Sequence, residues 1–292
     1  MQTIHPSSRT SASAFALVIS LLVLPLAALH ANVLITDSFT NGGVHTDGTP
    51  LNGDSVEFSS SGSYTWTAGS TGGGGYNTSG GAAYTNVFGA NPGPGPNIVS
   101  RLAWVDSSVL GNERAVLSLD VTQTTATNSG SAVSWSSISF FDNPGATFDS
   151  AEWNTGVVTL RLMNTGEYEL RGLHYGFNSQ DLIASGFAPG FIFGGPNNLL
   201  LDFDNATNLL SASINGIPVL SGVNPFGSVS NPGYGSYEPN ITAAGFHMYA
   251  GSTYNSSADN FSLNITSVPE PTRALLSIFG IALCLFRRQR KA

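Results

Sequence analysis

From Asn32 to Ser267 the chain shows almost no recurrence at helical spacing; short β-branched and aromatic runs recur instead, separated by Gly, Asn, Ser and Pro. This pattern predicts an all-β body. Residues 55–67 alternate, with Val56, Phe58, Tyr64 and Trp66 as inward positions. Residues 115–122 and 133–141 carry apolar side chains at every second position, and residues 157–163 and 167–173 flank Asn164-Thr165-Gly166, a hairpin turn. Residues 209–214 and 217–220 flank Asn215-Gly216, a pair suited to a type I′ turn because both positions need φ > 0. Residues 33–39 read as an edge or closing strand, and residues 246–250 and 260–265 close the body. About a dozen strands at this spacing predict a sandwich or a barrel. The Gly/Ser/Thr-rich residues 68–83 and the Pro/Gly alternation of residues 91–97 are loops; a phosphate cradle would need a Lys-Ser/Thr ending and a following helix, which this stretch lacks.

The two ends depart from this pattern. Arg9, the apolar residues 14–29 and Leu29-His30-Ala31 have the order of a signal peptide, charged, greasy, then small. At the other end Pro269-Glu270-Pro271 precede an apolar run, residues 274–286, and the basic residues Arg287, Arg288, Arg290 and Lys291. As helix that run spans about 20 Å at ~1.5 Å per residue, short against a hydrocarbon core of about 30 Å. The organisation expected is residues 1–31 as signal peptide, 32–267 as one β domain and 268–292 as a C-terminal signal with a short transmembrane helix.

Those three tail features, in this order, resemble the PEP-CTERM sorting signal. The resemblance covers the tail alone. It implies a protein exported through the secretion translocon across the inner membrane of a Gram-negative bacterium and held there transiently by the helix. Exosortase would then process it for the cell surface or extracellular matrix, in a setting of exopolysaccharide and biofilm. A plain C-terminal membrane anchor is the alternative.

Setting the ends aside changes the charge picture. The body keeps Arg101, Arg114, Arg161 and Arg171 and has no lysine, against 17 carboxylates, a net of −13. Phosphate backbones and anionic lipid would be repelled, which excludes nucleic acid as a partner and leaves the membrane only to the tail helix. Divalent cations, neutral sugars and a hydrated matrix remain compatible. The one cysteine, Cys284, lies in the tail, so the body has neither a disulfide nor thiol chemistry and must be stabilised by core burial.

Three segments of the body resemble laminin-G-like and concanavalin-like jelly rolls. They are the Asn-Gly hairpin Ser211-Ala212-Ser213-Ile214-Asn215-Gly216-Ile217-Pro218-Val219, the start Ile35-Thr36-Asp37-Ser38-Phe39 and the end Ala258-Asp259-Asn260-Phe261-Ser262-Leu263. In such domains the opening and closing strands tend to pair with each other. The resemblance implies a jelly-roll β-sandwich and no particular activity.

Candidate chemistry is sparse. No nucleophile elbow occurs, and His45, His174 and His247 have no zinc-ligand spacing. Glu167 and Glu169 share one face of a strand about 7 Å apart at the backbone, near the separation of a retaining glycosidase pair. Laminarinase-type hydrolases place two glutamates on one strand of a similar scaffold, but with an Asp between them and a longer spacing, whereas Tyr168 stands between these two. Asp202, Asp204 and Asn205, with Asp259, offer the oxygens that calcium takes, and Asp and Asn are equally turn formers. Trp66, Tyr76, Tyr84, Trp153, Tyr234, Tyr237 and Tyr254 lie in or beside Gly/Asn/Ser-rich segments where rings can stack on sugars, Tyr234 and Tyr237 being the most loop-like pair, whereas Trp104 and Trp135 read as core.

The function expected is that of a non-catalytic carbohydrate-binding or structural component of the cell surface or extracellular matrix, with extracellular polysaccharide as partner and calcium as the ion its carboxylates suit. A glycan-active hydrolase using Glu167 and Glu169, and a purely adhesive sandwich, are the alternatives.

Overall fold

The computed structural model describes residues 33–70, 76–79, 81–85, 99–106, 113–123, 135–141, 156–173, 180–225, 241–250 and 256–267. They contain strands and turns, and no helix occurs among them. The strands are β1 (Val33–Asp37), β2 (Phe58–Ser59), β3 (Trp66–Ser70), β4 (Tyr76–Ser79), β5 (Ala82–Thr85), β6 (Val99–Asp106), β7 (Glu113–Gln123) and β8 (Trp135–Phe141). They continue with β9 (Gly156–Met163), β10 (Glu167–Leu173), β11 (Gln180–Phe187), β12 (Pro196–Asp204), β13 (Leu209–Ile214), β14 (Ile217–Val223), β15 (Ala243–Ala250) and β16 (Ser256–Ser267).

Two antiparallel sheets result. The nine-stranded sheet runs β14-β13-β12-β7-β16-β1-β2, with β5 paired to β16 and β4 to β5; the seven-stranded sheet runs β11-β10-β9-β8-β15-β6-β3. β7 and β12 lie over β8 and β9, and β16 over β15, so the two sheets stack as a sandwich. The all-β sandwich expected from the sequence is the class found.

Alternation builds the core. On β7, Ala115, Leu117, Leu119 and Val121 point inward and are fully buried. Leu199, Leu201 and Phe203 do the same on β12, facing Val158, Leu160 and Leu162 of β9 and Ile138 and Phe140 of β8. Each such side chain contributes about 1.5–3 kcal/mol on leaving water, which lets the body hold together with no disulfide.

The two hairpins form where their turn residues place them. Asn215 and Gly216 both take positive φ, 52° and 74°, and join β13 to β14. Gly166, at φ 86°, joins β9 to β10. The opening strand pairs with the closing one, Val33 with Ile265 through to Asp37 with Phe261.

Two expectations need correction. The alternation across residues 55–67 does not produce one long strand: only Phe58–Ser59 and the strand from Trp66 onward are extended, and Phe58 is exposed rather than inward. Residues 68–83, read as a loop, hold the end of β3, all of β4 and the start of β5. Trp66, placed inward by the alternation and also named among rings beside Gly-rich segments, follows the alternation and is buried at the centre of a ring cluster with Phe39, Phe246 and Phe261. A polar atom explains its depth, because the indole N–H finds a carboxylate inside the fold. Residues 1–31 and 268–292, with the signal and tail helices expected there, lie outside the described residues.

Candidate functional site

The outer face of the seven-stranded sheet carries the largest gathering of chemistry among the described residues. Successive registers align Ser185 of β11, Glu169 of β10, Arg161 of β9, Ser137 of β8 and His247 of β15 in one row. The neighbouring row holds Arg171, Thr159 and Ser139. These positions share a face because side chains alternate at period two, leaving Val158, Leu160 and Leu162 to the core.

Within this group the contacts are specific. The Arg161 guanidinium lies over the Trp135 ring at 4.4 Å from its centroid, and the His247 ring meets Trp135 edge-on at 4.7 Å. Glu169 Oε2 accepts from Arg171 Nε at 2.8 Å and lies 3.7 Å from Arg161 Nη1. Ser139 and Thr159 share a hydroxyl hydrogen bond of 2.8 Å. Arg161, His247, Ser137, Ser139 and Thr159 are buried although they sit on the outward side of the sheet, while Glu169 and Arg171 keep part of their side chains in solvent. The result is a buried polar layer of fixed donors and acceptors around a tryptophan, with the half-buried Glu169 and Arg171 at its β10 edge.

The glutamate pair is resolved by this geometry. Glu167 and Glu169 do share a face of β10, but they have different company. The Glu167 carboxylate accepts from Thr165 Oγ1 at 3.2 Å beside the hairpin turn, in the open. That of Glu169 is engaged by two arginines, an arrangement that suits orientation of a ligand group better than transfer of a proton to one.

A second polar cluster lies where β1 meets the turn of residues 41–45. Among the described residues, Asp37, His45 and Glu57 are the group whose ligand-type atoms converge, within 4.8 Å of one another. Both ring nitrogens of His45 are taken: Nε2 is 2.9 Å from both carboxylate oxygens of Asp37, and Nδ1 is 3.0 Å from Asp54 Oδ2. Burial works against the charged ring, but the hydrogen bonds and charges of Asp37 and Asp54 outweigh it and push the imidazole up to about 9. Asp37 also accepts the Phe39 backbone N–H at 2.8 Å and the Trp66 indole N–H at 2.7 Å. Glu57 accepts from Ser38 Oγ and the backbone N–H groups of Ser38 and Thr40; burial pushes it up, yet these bonds and the His45 charge hold it below its ordinary value. An imidazolium thus supplies the positive charge that these carboxylates require, and the cluster is an internal ion lock between β1 and two turns.

The calcium candidates are dispersed. Asp202 takes a two-pronged bond from the Arg114 guanidinium, Nε to Oδ1 at 2.7 Å and Nη2 to Oδ2. Asp204 Oδ1 caps the following turn through the N–H groups of Ala206 and Thr207, and Asn205 N donates to Glu113 O at 3.1 Å. Asp259 belongs to a different row, opposite Asp120 on β7, whereas Asp202 aligns with Val116 there. Burial raises Asp259, and the charges of Asp120, Glu57 and Asp37 add to that against the N–H of Asn260. Tyr234, Tyr237, Trp153 and His174 lie outside the described residues, as do Pro269, Glu270, Pro271, Arg287, Arg288, Arg290 and Lys291.

Sequence reasoning missed the outer-face group, and one signal points to it. Arg161 interrupts the apolar run of β9 at the phase of Thr159, opposite to the phase of its core positions. A cation on the minority face of an otherwise apolar strand marks that face as polar and covered.

No protein-family model matches the sequence, and no curated protein matches it either. In structure the chain is similar to the carbohydrate recognition domain of Emp47p, with a TM-score of 0.51, 10% identity, and coverage of 80% of this chain and 94% of that one. A Bacillus subtilis protein of unknown function with a galectin-like fold aligns at TM-score 0.48 and 15% identity, over 69% of this chain and 90% of that one. The Bauhinia forficata lectin in complex with GalNAc aligns at TM-score 0.43 and 12% identity, over 70% and 93%. At these identities the likeness concerns the course of the backbone, and on that ground the body is a β-sandwich of the jelly-roll kind found in the Emp47p domain.

Proposed function

We propose that this chain is an exported, non-catalytic surface or matrix protein whose sandwich binds carbohydrate on the outer face of the seven-stranded sheet. The observation that carries the reading is the aligned group of Glu169, Arg161, Ser137 and His247 around Trp135. Sugar hydroxyls are recognised by paired donors and acceptors held rigid beside an aromatic plate, and charged groups in low-dielectric surroundings make the stronger bonds. The Emp47p domain, described as a carbohydrate recognition domain, shares the backbone. Glu169 and Arg171, the half-buried members at the β10 edge of this group, are the ones that would meet the ligand first. The net charge of the body, −13, favours neutral glycans over polyanions.

A glycan array probed with the full chain, with and without calcium, tests this reading. Binding to a defined glycan class that falls at least tenfold in Arg171→Ala supports it; no binding to any glycan, or binding indifferent to Arg171 and Glu169, overturns it. Loss on chelation would assign calcium a part through the carboxylates.

The sorting signal belongs to the same proposal. Pro269-Glu270-Pro271, the apolar run and the basic end support release by exosortase from the inner membrane to the surface. Replacing the three residues by alanine should leave the protein in the inner membrane, and unchanged release would refute the sorting role.

A further inference from the structure

Along β10 and β11 the outer face of the seven-stranded sheet changes character. β11 pairs with β10 alone among the described residues. Register places Phe187 opposite Glu167 and Ser185 opposite Glu169, while Tyr168 and Leu170 turn into the core. Strict alternation would send Leu182 inward as well. An extra residue in β11, where the register shifts between Leu170 and Arg171, prevents this: Ile183 and Ala184 both pack against the core, and Leu182 comes round to stand opposite Arg171 on the outer face.

Two lanes result. β11 contributes Leu182, 53% exposed, Ser185, and Phe187, 75% exposed; β10 contributes Arg171, Glu169 and Glu167 at the same three levels. Cross-strand partners stand about 5 Å apart at Cβ, so each apolar or hydroxyl side chain has a charged one beside it. From Glu167 to Arg171 the strip runs about 14 Å at ~3.4 Å per residue. The backbone under Phe187 is fixed. Ala188 N–H donates to Gly166 O at 2.7 Å, and Gly186 lies so close to Tyr168 that a Cβ there would meet its ring at 3.1 Å. A phenylalanine held in water on such a strand goes without the stabilisation of burial, about 1.5–3 kcal/mol, until something covers it.

We propose that this strip binds an extended neutral polysaccharide laid along β10 and β11, several sugar units at a time, in place of a single terminal sugar held in a pocket. The proposal rests on the carbohydrate reading of the same face and adds the form of the ligand. The two lanes select the occupant. A sugar ring has an apolar C–H face and a rim of hydroxyl groups, so one chain can cover Phe187 and Leu182 while its hydroxyls bond Glu167, Glu169, Ser185 and Arg171. A lipid surface or an apolar protein patch would strip water from three charged side chains and return no partner for them. Polyanions would meet Glu167 and Glu169 within a body of net −13. The strip is longer than one sugar ring, so affinity accumulates unit by unit along it.

The test is isothermal titration calorimetry of the full chain in mild detergent against dextran, laminarin, galactomannan and soluble cellulose oligomers, then against a ladder of oligomers of whichever binds, from the single sugar upward. The expected result is an affinity that rises at least tenfold from the single sugar to the longest oligomer. That gain should be lost in Phe187→Ala and in Leu182→Ser and kept in Phe187→Tyr. Both positions are exposed, and melting followed by circular dichroism checks that the variants keep the sandwich. Equal affinity for single sugar and oligomer, or a gain untouched by either substitution, overturns the strip; the carbohydrate reading stands in that case if Arg171→Ala still weakens the single sugar. Binding of none of these chains also overturns the strip, and the glycan array then decides the wider reading separately. So does capture of phosphatidylcholine vesicles or of a polyuronate that depends on Phe187 while no neutral chain is bound.

Discussion

The indole N–H of Trp66 donates to Oδ2 of Asp37 at 2.7 Å, and the same carboxylate holds His45 Nε2 at 2.9 Å. One buried charge therefore fixes two residues distant in the chain, a core tryptophan and a turn histidine. Asp37→Asn keeps the shape, removes the charge and leaves an imidazolium facing a neutral amide. The expected loss is about 3–5 kcal/mol of unfolding free energy, in keeping with removal of one partner from a buried ion pair. Denaturant titration followed by tryptophan fluorescence measures it, and a midpoint within error of the parent would refute the lock.

The same cluster sets a pH dependence. His45 is raised in the folded protein to about 9 from an unfolded value of 6.5. A raised group contributes all its stability below the unfolded value and loses it as pH climbs through the folded one. Stability is therefore expected to be greater at pH 6 than at pH 10, by an amount on the order of 1–3 kcal/mol. His45→Gln should flatten that slope. Thermal melts of both proteins between pH 6 and pH 10 decide the matter.

Turn glycines separate two kinds of cost. Gly216, at φ 74°, has open space where a side chain would begin, so Gly216→Ala meets backbone strain alone, about 1 kcal/mol. Gly166, at φ 86°, would place its new methyl 2.9 Å from Phe191 Cδ1. Gly166→Ala should therefore lose more, by about 1–3 kcal/mol of overpacking. Equal losses in the two alanine variants, read from urea midpoints, would contradict the crowding at Phe191.

These hairpins were legible in the sequence because a turn is a local matter: Asn-Gly needs only its own dihedral freedom, and the strands beside it alternate. The pairing of β1 with β16 came through resemblance to known jelly rolls, since nothing local in residues 33–37 names residues 261–265 as partners. The outer-face group was not legible for the same reason. Glu169, Arg161, Ser137 and His247 come from four strands and meet only once three registers are set. Trp66 was legible by alternation as inward, while its Gly-rich surroundings suggested a surface ring; Asp37, which satisfies its N–H inside, decides for the first.

Two arginines provide a last contrast. Arg114 pairs with Asp202 while half its side chain stays in water, and such pairs contribute little. Arg114→Ala is expected to change stability by less than about 1 kcal/mol. Arg161 is buried between Trp135 and Glu169, so Arg161→Ala removes packing and charge together and should cost about 2–4 kcal/mol. Chemical denaturation of the two single variants compares them directly, and a larger effect at Arg114 would show that the outer-face group does not support the sheet.

The partnership of Val33 with Ile265 also has a consequence for the order of events in a chain made from its N-terminus. β1 must wait beside an empty place until β16, the last strand, arrives between it and β7. Contacts so far apart in sequence form slowly and close late. The nine-stranded sheet therefore stays open, and its strands remain within reach of proteases and chaperones, until residue 265 has been made; completion of the fold then marks completion of the body.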